Sequence, residues 1–77
     1  MTKDTAVRVH ELILASVRAI DEAVAIAQTD SSVVELEEFR LGAGTAMDAI
    51  FEELLKPIYR AHPELIPKEL DRRYLKL

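Results

Sequence analysis

From Ser32 to Lys56 the apolar positions follow a regular period. Leu36, Phe39, Ala43, Met47 (or Ala46), Ile50 and Leu54 recur every three or four residues, while Glu37, Asp48 and Glu52 fall on the opposite side. Such a repeat lays one apolar stripe along an α-helix, and it predicts a helix over about 32–61. Ser32 followed by Glu35 fits a capping box, in which each side chain satisfies a backbone N–H left open at the helix start. Pro57 lacks a backbone N–H and disfavours helical geometry at Lys56, so this helix is expected to end or bend near Pro57, a bend being the preferred reading.

A second stripe precedes the first. Ala6, Val9, Ile13, Val17, Ile20, Val24 and Ala27 predict a helix over about 4–28, with Arg8, Glu11, Arg18 and Glu22 as its polar back. Its apolar arc is wide, because Leu12, Leu14, Ala19, Ala23 and Ile26 flank the stripe on both sides, and this implies more than one neighbouring helix. The turn near Thr29 to Ser31 is short enough to force the two helices antiparallel. Pairing about it brings together residues whose numbers sum to about sixty.

Ala15, Ala19 and Ala23 then face Gly42, Ala46 and Ala49. Close approach of these small residues would give the two glycines a structural reason, since a glycine inside a helix costs roughly 1 kcal/mol relative to alanine. A phosphate-cradling loop at Gly42-Ala43-Gly44 lacks both the preceding strand and the lysine it would need. After His62-Pro63 a C-terminal segment, 64–77, is expected to cross back and form a short helix from Pro67 to Leu75.

The fold predicted is all-α, a single domain over 1–77: an antiparallel two-helix hairpin with a short C-terminal helical segment, dimerising into a four-helix bundle. The wide face of the first helix and a second apolar line on the other, Val33, Phe51, Leu55 and Ile58, motivate the homodimer. With 77 residues, one core gives a modest margin and association supplies further burial.

Composition narrows the chemistry. The chain is 49% hydrophobic and 31% charged, too apolar for disorder. It has no cysteine, which removes disulfides, thiolate metal sites and cysteine nucleophiles. No apolar stretch suits a secretory or membrane-spanning segment, so no membrane association and a cytoplasmic location are expected. The net charge of −4 is uneven: residues 1–28 carry 3 bases and 4 acids, residues 29–56 carry 2 and 7, and residues 57–77 carry 5 and 3. The acidic middle disfavours a broad nucleic-acid surface, which needs clustered Lys and Arg.

Glu35 and Glu38 form an E-x-x-E pair that resembles the acidic helices of the MazG-like and dUTPase-like nucleotide pyrophosphohydrolases. The resemblance implies Mg²⁺ held by carboxylates. It covers only these few residues, and the later E-x-x-D of that family has no counterpart around Asp48, Glu52 and Glu53. Acids in a first helical turn also complement the helix dipole.

His10, paired by the same rule, would lie near Ile50, Glu53 and Leu54, within reach of a His10–Glu53 contact. Neither His10 nor His62 has the Glu three residues earlier that a di-iron bundle uses. His62 reads as a helix-end residue, and Tyr59 and Tyr74 as packing residues whose hydroxyls reach water. No catalytic residue, cofactor or metal ligand is assigned.

The function expected is that of a non-enzymatic protein–protein interaction or regulatory module. Its partner contacts would lie on Glu37, Asp48 and Glu52, or on Arg72 and Arg73. A nucleic-acid-binding regulator, analogous in architecture to the RNA-binding Rop protein, is the second expectation and would use Arg72 and Arg73. A carboxylate-dependent nucleotide pyrophosphohydrolase is the third.

Overall fold

The computed structural model describes residues 1–70, and among them all regular structure is helical. Helix α1 runs Lys3–Ala27 and helix α2 runs Val33–Ile50. Helix α2 continues without a break into a π-helical turn, Phe51–Leu55, and then into α3, Lys56–Ala61. A 3-10 turn, Pro63–Leu65, follows.

Both long helices start where side chains can serve open N–H groups. Thr2 caps α1 through its side-chain oxygen, which accepts from the Thr5 N–H at 3.3 Å. Ser32 and Glu35 form the expected capping box: the Glu35 N–H donates to Ser32 Oγ and the Ser32 N–H to Glu35 Oε1, each at 3.2 Å. Two of the orphan donors at the start of α2 are thereby satisfied.

Pro57 neither ends the helix nor leaves it regular. In an α-helix its ring would collide with the carbonyl four residues back, where no N–H exists to bond it. The turn before it is instead widened, and the Lys56 N–H reaches the carbonyl of Phe51, five residues back. A widened turn of this kind adds one residue to the helix.

That extra residue rotates everything beyond it. Up to Ile50 the half-buried positions of α2 are Leu36, Ala43, Met47 and Ile50. A regular helix would continue this line at Leu54, but Leu54 is 48% exposed and Leu55, Ile58 and Tyr59 turn inward at 6%, 7% and 1%. Leu55 and Ile58 therefore belong to the core of a single chain, not to a free second line. Val33 stays on the surface, and Phe51 packs against the core edge.

Leu55, Ile58 and Tyr59 form the buried cluster, with Val9 and Ile13 from α1, Ile50 and Phe51, and Leu65 and Ile66 packed around it. Ala6 and His10 of α1 are buried as well. The fully buried residues thus lie near the start of α1 and around α3. Along the rest of α1 the stripe Ile13, Val17, Ile20, Val24 and Ala27 is only half-buried, and α2 has no fully buried residue.

Beyond α3, Leu65 and Ile66 pack against the core, as expected of a segment that crosses back. Glu64 and Leu65 lie in the 3-10 turn, and Pro67–Leu70 is a further turn closed by a Leu70 N–H to Pro67 carbonyl bond of 3.0 Å, in place of the start of a helix. The rest of the predicted C-terminal helix, with Tyr74, Arg72 and Arg73, lies outside the described residues.

Candidate functional site

The most developed polar contact in the molecule joins His10 of α1 to Tyr59 of α3. His10 Nε2 and the Tyr59 hydroxyl oxygen are 2.9 Å apart, and the two rings meet edge to face with centroids 5.3 Å apart. Both residues are buried, and no buried side-chain polar atom among the described residues is left without a partner. Removal from water pushes the His10 pKa below its ordinary value, opposed by the nearby Glu11 charge, and pushes the Tyr59 pKa up. Both shifts favour neutral partners, one donating and the other accepting according to the histidine tautomer.

The expected His10–Glu53 contact is not made: Glu53 is exposed, and Tyr59, six residues further on, is the partner. The π-turn supplies one of those residues. The hydroxyl of Tyr59 reaches a histidine rather than water. A hydrogen bond between two neutral, enclosed groups fixes how the helices sit.

The six residues expected to pack the helices together are all exposed: Ala15, Ala19 and Ala23 on α1, and Gly42, Ala46 and Ala49 on α2. A Cβ built at Gly42 or at Gly44 would meet nothing within 4 Å. Close approach inside one chain therefore does not account for the glycines. The partly buried positions of the two helices instead include Ile13, Val17 and Ile20 on α1 and Leu36, Ala43 and Met47 on α2.

Of the expected partner contacts, Glu37, Asp48 and Glu52 are exposed. Glu52 is engaged by Lys56 Nζ at 3.0 Å one turn later, and that ammonium also sits 5.7 Å from the centroid of the Phe51 ring. Arg72 and Arg73 lie outside the described residues. Glu35 spends its carboxylate on the capping box, and its hydrogen bonds to Ser32 hold its pKa below the usual value. The E-x-x-E pair is thus partly committed to a helix start.

Among the described residues, no group of three or more His, Asp or Glu side chains is placed to hold a metal ion. No helix there is long and apolar enough to cross a membrane. A shallow depression of about 180 Å³ is lined by Met1, Pro57, Ile58, Ala61 and His62, and ligand pockets usually offer roughly 300 Å³ or more. Its one titratable side chain, His62, leans toward Glu64, with Nδ1 to Oε1 at 3.5 Å. His62 also closes α3, its N–H bonding the Ile58 carbonyl at 2.7 Å, as a helix-end residue should.

The surface is more distinctive than the interior. Leu12, Ile26, Val33, Val34 and Leu41 are 64–74% exposed, and Phe39 is 44% exposed. Single exposed apolar residues are ordinary, and here several large ones stand beside a half-buried stripe.

Among the described residues the geometry defines a class and no more: all-α, two long helices with one buried polar pair. No protein-family model matches the chain, and neither a curated protein nor a solved structure matches it.

Proposed function

We propose that the chain is a non-enzymatic interaction module, an antiparallel helical hairpin that pairs with a second copy to make a four-helix bundle. The observation that carries this reading is the half-buried stripe. Val17, Ile20 and Val24 on α1, with Leu36, Ala43 and Met47 on α2, stay partly open to solvent although they are the apolar positions of their helices. Two helices in one layer can cover only one side of such a stripe, and a second layer covers the rest. A closed two-fold pair is the commonest arrangement for such a surface.

Glu37 and Asp48 would remain on the outside as an acidic ridge for a partner protein bearing basic groups. The test is the molar mass in solution, by light scattering coupled to size exclusion over a hundredfold concentration range. Twice the 8.7 kDa of the chain at every concentration is the expected result. A stable monomer throughout would overturn the reading.

A further inference from the structure

We draw no further inference here: the strongest candidate, the exposed apolar surface of α1 and α2 that carries Leu12, Ile26, Val33, Val34 and Leu41, supports none because nothing in the structure shows what covers it.

Discussion

Replacing Tyr59 by phenylalanine removes one oxygen atom from the largest fully buried side chain among the described residues. The ring stays in place and so does its edge-to-face contact with His10. What is lost is the 2.9 Å hydrogen bond, and His10 keeps a buried ring nitrogen with no partner. The net worth of such a bond is about 0.5–1.5 kcal/mol, and leaving a buried group unpaired costs about 1–3 kcal/mol. The expected loss is therefore about 1–2 kcal/mol, since His10 can recover part of the cost by shifting toward the surface. For a domain of this size each kcal/mol lowers the melting temperature by about 4–8 °C.

The assay is urea and thermal unfolding followed by circular dichroism. Variant and wild type must be compared at one protein concentration, because association adds to apparent stability. The double variant His10→Phe with Tyr59→Phe should recover most of the loss, since it leaves no buried polar group unpaired. A Tyr59→Phe loss below about 0.3 kcal/mol, within the usual scatter of additivity, would refute the reasoning. So would a double variant weaker than the sum of the singles.

Three further outcomes follow from the same contacts. Ser32→Ala removes the capping box and should cost about 1 kcal/mol, read from the urea midpoint, whereas Ser16→Ala, on an exposed face, should cost far less. His10 binds its proton more weakly in the folded chain than in the unfolded one, so its contribution is constant above about pH 6.5. It falls as the pH drops from there toward the lowered folded value, because only the unfolded chain takes up the proton in that window. Urea midpoints at pH 7.5 and 5.5 check this, with His10→Gln flattening the difference and a midpoint that rises on acidification contradicting it. Finally, deleting Glu53 together with Pro57→Ala removes both the extra residue and the proline that calls for it. That variant should stay folded with the His10–Tyr59 contact kept, seen as a shielded Tyr59 hydroxyl by NMR, while deletion of Ala46 should unfold the chain by turning the inward face of α2 away from α1.

The helices were legible because their signals are local. The periods of Ala6 to Ala27 and Leu36 to Ile50, and the pair Ser32 and Glu35, each act within a turn or two of chain; α1 falls within a residue or so of its expected bounds, whereas the second helix, expected over about 32–61, is α2 only to Ile50 and reaches Ala61 through the π-turn and α3. Pro57 was visible as a disturbance, but its outcome was not. A proline can end a helix, bend it or widen the turn before it, and the choice depends on which of Leu54 or Leu55 gains more by facing α1. That is a tertiary question.

The His10–Tyr59 pair was hidden for the same reason, because a pairing rule drawn from the turn loses register over many residues and takes no account of the added one. The small-residue ridges were visible as a pattern, but Ala15, Ala19, Ala23, Gly42, Ala46 and Ala49 are exposed and not packed between the two helices. Spacing alone says that Ala15, Ala19 and Ala23 share a side of the helix, not whether that side meets the same chain.

The placement of the core at the far end of the long helices has a kinetic consequence. His10 and Tyr59 are 49 positions apart, so this buried contact closes a loop of more than half the chain's 77 residues. The entropic cost of joining ends at that separation is about 3.4 kcal/mol from the length term alone, and little burial near Thr29–Ser31 offsets it beforehand. A helical pair whose best contacts lay beside its turn could zip from there, each new contact closing only a short loop. This chain must instead hold two partly formed helices together until their distant ends meet, which makes the joining of those ends the slow step of folding.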